Sequence, residues 1–305
     1  MNVMEPSLTG LRVLREVAER GSFTAAATEL GYTQSAVSRQ VAALERSAGL
    51  KLFDRRPGGV VLTPAGLTLL QHAVVALDAL AAAGRELKGL PPERGVVRLG
   101  TFPSAGALIL PRALAALRRT HPDIRVTTRE TGTPALVRAL RARTIDLAIV
   151  GSRPPYLPLD EQTPALECLT LAETALLLAV PAGSALGAGG VVDVQDLAGQ
   201  DWIASPSSAV EPGMGVWPGV PGRPHIAHTA RDWLTKLHLV AAGCGITTVP
   251  PGLADAIPAG VRLVEVQGGA AEHRRVVLAR LPGPHPPAVG QIIRVLRQEV
   301  AHRFA

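Results

Sequence analysis

Ser22 to Arg46 reads SFTAAATELGYTQSAVSRQVAALER, and the reading of this stretch decides the rest. Phe23, Ala26, Ala27 and Leu30 fall at i, i+3, i+4 and i+7, the apolar stripe of a helix opened by Ser22 and closed at Gly31. After a three-residue break Thr33 caps a second helix, in which Val37, Val41, Leu44 and Ala48 repeat at helical spacing. The opposite side of that helix carries Gln34, Ser35, Ser38, Arg39 and Arg46. An amide, two hydroxyls and a guanidinium within two turns are groups that pair with base edges and phosphate oxygens. Two helices joined by a tight Gly-containing turn form a helix-turn-helix, whose second helix enters the major groove N-terminus first.

Working outward, Leu8, Leu11, Leu14 and Ala18 predict a preceding helix that ends at Gly21. Leu50 to Leu62 reads as a hairpin, with Asp-Arg-Arg-Pro-Gly-Gly at the turn. It is a wing, and Arg55 and Arg56 at its tip are placed to reach phosphates or a minor groove. Thr63-Pro64 then starts a helix of roughly twenty-five residues, about twice the usual length. Leu67, Leu70, Val74, Leu77 and Ala81 form a pairing seam along it, which suggests a second subunit as its partner. Its apolar run is broken by Gln71, His72 and Asp78, so it is read as a pairing helix and no membrane is expected as a partner. Gly89 to Gly95 is the linker.

From Val96 the pattern changes to strands alternating with helices: VVRLG, a helix over 108–120, IRVTTRE, a helix over 134–143, then DLAIVG. A second set follows with LECLTL, ALLLAV, DWIAS, HIAHTA, a helix over 231–242 and GITTVP. RLVEVQ, RRVVLAR and a helix over 287–304 close the chain. Such alternation predicts an open, largely parallel sheet with helices on its faces. Two comparable α/β units imply two lobes with a ligand crevice at the carboxyl ends of strands.

A chain of 305 residues, 47% hydrophobic and 18% charged, can bury the core that two domains require. The net charge of +6 suits an anionic partner, yet residues 1–66 hold eight Arg or Lys against six acids, a surplus of only two. Eight arginines lie instead between Arg112 and Arg143, against Asp123 and Glu130. Placement of Arg39, Arg55 and Arg56 therefore says more about nucleic-acid binding than total charge does. Cys168 and Cys244 stand far apart without metal-ligand spacing, which speaks against a disulfide framework or zinc site and for a reducing cytoplasm. The N-terminus, MNVMEPSLTG, lacks the basic start and apolar core of a signal peptide.

AERGSFTAAATELGYTQSAVSRQVAALERSAGLKLFDRR, followed by LTPAG, resembles the N-terminal domain of LysR-type transcriptional regulators. The effector half is matched more loosely, through HPDIRV, DLAIVG, DLAGQDWIAS and LVAAGCGITTVP. The resemblance implies a winged helix-turn-helix over 1–62, a linker helix and hinge over 63–95 and a two-lobed effector domain over 96–305, similar to periplasmic binding proteins. Lobe I would cover about 96–163 and 268–305, and lobe II about 164–267. It implies double-stranded DNA as partner, read chiefly through Gln34, Ser38 and Arg39, with Thr33 and Ser35 beside them and Arg55 and Arg56 on the backbone. It places a small-molecule effector, often an organic acid in this family, against Ser104, the Thr131-Gly132-Thr133 turn and the loop holding Ser205 and Ser207. Arg153, just beyond DLAIVG, is a weaker candidate for its charge. No other cofactor and no metal is implied. Pairing through the linker helix would give a homodimer and, as is common in the family, a homotetramer working at the cytoplasmic nucleoid, where RNA polymerase is a further partner.

Two other functions fit the sequence less well. A hydrolase needs nucleophile, base and orienting acid together, but GxSxG is absent and the eight histidines are scattered. No GxGxxG or GxxxxGK[ST] phosphate loop occurs. His225 and His228 lie three apart in an expected strand and so face opposite ways. The other alternative is an architectural DNA binder whose lobes have lost their ligand, separable by ligand-induced stabilisation.

Overall fold

The computed structural model describes residues 5–56, 59–88, 96–206, 214–269 and 273–304. The expected linker over 89–95 and the expected effector residue Ser207 lie outside them.

The N-terminal unit contains α1 (Leu8–Arg20), α2 (Phe23–Leu30) and α3 (Gln34–Ala48). Each has a side-chain N-cap, Ser7, Ser22 and Thr33, and each ends in a left-handed glycine, Gly21, Gly31 and Gly49. Strands β1 (Phe53–Arg56) and β2 (Gly59–Leu62) pair antiparallel as the wing. Leu11, Leu14, Val17, Ala26, Ala27, Val37, Val41, Leu44 and Leu52 form one core, with Phe23 edge-on to Phe53.

Helix α4 (Pro64–Glu86) starts where Thr63 Oγ1 accepts from Gly66 N, and its first turn lies directly on the wing. A Cβ on Gly66 would stand 2.1 Å from the Leu52 carbonyl oxygen, so only glycine permits this approach. The expected pairing seam meets a correction here. Leu67, Leu70, Val74 and Leu77 are buried within the chain, and all but Leu67 belong to the core shared with α1. The small winged domain needs that apolar face to complete its own core. Ala81, the last residue of the expected seam, stays exposed, and Val75, Ala79, Leu80 and Leu87 remain uncovered with it. By length and composition Pro64–Gly84 could also cross a membrane, but the third of it that is buried is already packed on the winged domain.

Lobe I is built on a five-stranded sheet in the order β4-β3-β5-β13-β6, from β3 (Val96–Thr101), β4 (Arg125–Glu130), β5 (Leu147–Ser152), β6 (Glu167–Ala175) and β13 (His273–Arg280). β3, β4 and β5 are parallel. β13 runs antiparallel to both neighbours, so the sheet is mixed where a largely parallel one was expected. The chain returns from lobe II at that point, and it re-enters the sheet from the opposite end. β6 pairs along its length with β13. Residues 167–175, expected in lobe II, therefore belong to lobe I's sheet. Helices α5 (Pro103–Leu108), α6 (Leu110–Thr120), α7 (Thr133–Arg141) and α9 (Pro287–Phe304) complete the lobe.

Lobe II carries β7 (Leu177–Pro181), β8 (Val191–Asp193), β11 (Thr247–Val249) and β12 (Val261–Gln267) in the order β11-β7-β12-β8. β9 (Asp201–Ala204) and β10 (His225–Thr229) form a parallel pair, tied in by a Trp202–Ile246 bridge, and α8 (Trp233–Ala241) packs on β7 and β9. The chain thus crosses between lobes twice, after β6 and after β12. The lobes also touch directly: Leu108 of α5 packs on the cluster of Leu237, Val240 and Leu253.

Candidate nucleic-acid interface and effector cleft

At the start of α3 the backbone N–H of Ala36 donates to Thr33 Oγ1, and that hydroxyl lies 3.1 Å from Ser35 Oγ. Gln34 Nε2 donates to Ser38 Oγ at 2.9 Å, which holds amide and hydroxyl side by side. Thr33, Gln34, Ser35 and Arg39 are exposed and Ser38 is half-exposed. The polar row expected from sequence is therefore contiguous at the end of α3 that a helix-turn-helix presents to a groove. Its mutual hydrogen bonds are weak enough to exchange for base edges, each contributing about 1 kcal/mol net.

Arg55 and Arg56 are exposed at the end of β1. Arg56 also reaches Glu161 of lobe I at 3.5 Å, a solvent-exposed and therefore weak pair. Further contacts dock the winged domain on lobe I. Glu19, nearly buried at the end of α1, is ion-paired to Arg129 of β4, and Arg138 Nε of α7 donates to the Glu19 carbonyl at 3.2 Å. Ala142, just after α7, joins the winged-domain core. Sequence reading gave no sign of this contact, because Glu19 and Arg138 look like ordinary surface charges on amphipathic helices.

The expected effector residues stand at the ends of strands and the starts of helices in both lobes. Ser104 is buried in the first turn of α5, whose N-cap is Phe102. Thr131 and Gly132 stand half-exposed before α7, where the Thr131 N–H donates to the Thr101 carbonyl. Thr133 Oγ1 accepts from the Gly151 N–H at 3.3 Å and so fastens α7 to β5. Ser205, at the carboxyl end of β9, is half-exposed, and its hydroxyl accepts from Lys236 Nζ at 2.7 Å.

A cavity of about 440 Å³ is lined by Gly151 to Pro155, Leu157 to Leu159, Pro218 and Arg274. It includes Arg153 but none of the other expected effector residues. Arg274 and Arg153 bring like charges to it, and burial, then the Arg153 charge, push Arg274 down to about 10. Arg274 lay within a strand-like run, and nothing in its spacing singled it out. Lys236 did leave a signal: Trp233, Lys236, Leu237 and Val240 fall at i, i+3, i+4 and i+7, so a lysine occupies the apolar stripe of α8.

His225 and His228 hold no ligand set. A bulge interrupts their strand, His225 Nδ1 lies 2.8 Å from Asp201 Oδ1, and the described residues contain no cluster of three or more metal-ligating side chains. Cys168 sits on β6 in lobe I and Cys244 follows α8 in lobe II. Burial, then Asp160, push the Cys168 thiol up, the opposite of what a peroxide-reactive thiolate needs.

A winged helix-turn-helix, an extended linker helix and a two-lobed α/β domain define a ligand-responsive DNA-binding regulator. Comparison with known proteins agrees. Residues 8–67 match the bacterial regulatory helix-turn-helix protein, lysR family, and residues 91–301 match the LysR substrate binding domain. The chain belongs to the LysR family of transcriptional regulators, with a DNA-binding head and an effector-binding domain. It is 30% identical over 92% of its length to a probable hydrogen peroxide-inducible genes activator of Mycobacterium avium, covering 86% of that protein. It is also 30% identical to the transcriptional dual regulator GltC of Bacillus subtilis, covering 80% of each chain. Full-length BenM superposes with a TM-score of 0.55 at 26% identity, over 97% of each chain. A hydrogen peroxide-bound mutant of Corynebacterium glutamicum OxyR shares the fold, with a TM-score of 0.56 at 23% identity over 98% of this chain and 96% of that one. The relatives named as activator and dual regulator place the chain in a family of transcription regulators.

Proposed function

We propose that Gln34, Ser38 and Arg39 read base edges in the major groove, with Thr33, Ser35, Arg55 and Arg56 positioning the head on phosphates. The contiguous exposed row on the first two turns of α3, flanked by the wing, carries this reading. Arg39→Ala costs roughly 1–3 kcal/mol at the cognate site and relaxes base preference. Fluorescence anisotropy with cognate and scrambled duplexes measures it. Equal weakening on both would make Arg39 a phosphate contact and remove it from the readout.

In the same reading a small molecule binds between the lobes, against Ser205 and the Thr131-Gly132 turn, with Ser104 and Ser207 as further candidates. Thr133 is better explained as a fastening of α7, through its bond with Gly151 N–H. The path to DNA runs through α7. Its first residue follows the Thr131-Gly132 turn, and its body and end hold Glu19 and the winged-domain core through Arg138 and Ala142. A ligand that binds one lobe arrangement better shifts the population toward it and with it the angle of the head. The bare stripe of Val75, Ala79, Leu80 and Leu87 on α4 suits a second copy, giving a dimer and, by pairing of dimers, a tetramer that works with RNA polymerase at the cytoplasmic nucleoid.

A further inference from the structure

One helix of lobe I, α7, packs on α1 of the winged head and also fixes an acid beside the wing. Glu19, near the end of α1, has only 8% of its side chain exposed and is ion-paired to Arg129 of β4. Arg138 Nε of α7 donates to the Glu19 carbonyl at 3.2 Å, and its side chain lies 3.1 Å from the place that a Cβ on Gly21 would take. Ala142, one residue past α7 and fully buried, belongs to the head's own core. An ion pair largely withdrawn from water beside an apolar contact makes a firm junction, because opening it strands a charge and exposes apolar surface.

The end of α7 grips a second piece of lobe I. Arg141, its last residue, is 2% exposed and holds the Asp160 carboxylate at 2.6 and 2.8 Å. The same guanidinium donates to the Gln162 carbonyl at 3.1 Å and to the Pro164 carbonyl at 2.6 Å. Glu161 lies between these anchors, its side chain 89% exposed and its carboxylate 3.5 Å from Arg56 of the wing. Taken alone this pair is weak, since both side chains are solvated. Its position is nevertheless set, because the loop is fastened to α7 on both sides of Glu161 and α7 is fastened to the head. A carboxylate therefore stands against the wing guanidinium where a DNA phosphate would have to come. The two anions compete for one cation and repel each other.

We infer that lobe I is a brake on DNA binding by its own head: docked through α7, it sets Glu161 on Arg56 in place of a phosphate, so the docked head holds DNA less tightly than a head swung free. Resting on the reading of Arg56 as a phosphate contact, this device adds what competes for that contact. It changes affinity and leaves base preference alone, because the brake touches the wing and α3 carries the base-reading row. Arg129, Arg138 and Arg141 do not touch DNA in this scheme. They position the head and the acid.

Fluorescence anisotropy of the full-length protein on cognate and scrambled duplexes at low salt tests the brake. Glu161→Gln removes the competing charge at a solvated position and tightens binding to both duplexes by about two- to fivefold. Arg129→Gln breaks the docking from the lobe I side, leaves the head's sequence untouched, and tightens both as well. In the Arg129→Gln background Glu161→Gln adds nothing, since the acid no longer reaches the wing. Unchanged affinity in Glu161→Gln overturns the brake. So does the same gain from Glu161→Gln with and without Arg129, which would make Glu161 a general surface charge. Arg56→Gln separates the brake from the contact on which it rests. If Arg56→Gln weakens binding while Glu161→Gln leaves it unchanged, the wing contact stands and the brake falls; if Arg56→Gln leaves binding unchanged, both fall.

Discussion

Replacing Lys236 with methionine is expected to stabilise the protein at neutral pH and to lose that advantage as pH rises. Burial pushes the Lys236 ammonium from 10.5 down to about 8, with Asp232 opposing the fall. The native state therefore binds the proton less tightly than the unfolded chain. Below pH 8 both states are protonated and the native state bears the full penalty. Between the folded and unfolded values only the unfolded chain holds the proton, so wild-type stability climbs with pH, and above the unfolded value the penalty has gone. At about 1.4 kcal/mol per pKa unit the full penalty is about 3 kcal/mol. Methionine fills nearly the same space without the charge. The bonds it forgoes are replaceable, since Ser205 is half-exposed and the Met214 carbonyl also accepts from the Ser205 N–H. Urea unfolding of both proteins from about pH 7 to about pH 9.5 should show a gap of about 3 kcal/mol in favour of the variant, narrowing by about 2 kcal/mol across that window. Every other titrating group is shared, so the difference isolates Lys236. A gap that stays constant, or a wild type more stable than the variant at pH 7, would mean that a carboxylate compensates the ammonium and would refute the reasoning.

Three further outcomes follow from other parts of the molecule. Arg141 is 2% exposed and is held by Asp160 at 2.6 and 2.8 Å and by the Pro164 and Gln162 carbonyls, so Asp160→Ala strands a buried guanidinium and should cost about 3 kcal/mol in chemical denaturation; a loss under about 1 kcal/mol would show that the carbonyls alone suffice. Gly66→Ala forces a methyl group into the Leu52 carbonyl and should separate α4 from the wing, lowering Tm and abolishing DNA binding, whereas a variant that binds DNA normally would show that the junction can yield. With its Cys168 thiol held protonated, the protein should keep its DNA affinity after brief exposure to dilute hydrogen peroxide, and a loss that Cys168→Ser prevents would contradict this.

The DNA-binding half was legible because its signals are local. Caps, glycine stops and the i, i+3, i+4 stripes of α2 and α3 sit within a few residues of what they determine, and the polar row of α3 follows from the same periodicity. The sheet of lobe I was harder for the opposite reason. Whether β13 runs with or against β5 depends on where the chain re-enters after a whole second lobe, and the apolar run RRVVLAR reads alike in either direction. The seam on α4 shows a third limit. Its spacing correctly gave an apolar face, but periodicity cannot say whether α1 or another subunit covers it, and the winged domain's own need for core decided for α1. The cleft lay between these cases. Hydroxyl residues at strand ends were readable as candidates, yet their surroundings depended on partners from elsewhere: Thr133 is used by β5, Ser104 is buried, and Ser205 accepts from the Lys236 ammonium. That cation was itself visible in the sequence as a lysine on the apolar stripe of α8. A charged residue at a position that periodicity assigns to the core is costly unless it is satisfied there, and here no carboxylate among the described residues satisfies it. The same helix periodicity that marked the polar side of α3 therefore also marks, on α8, a lysine that breaks an apolar side.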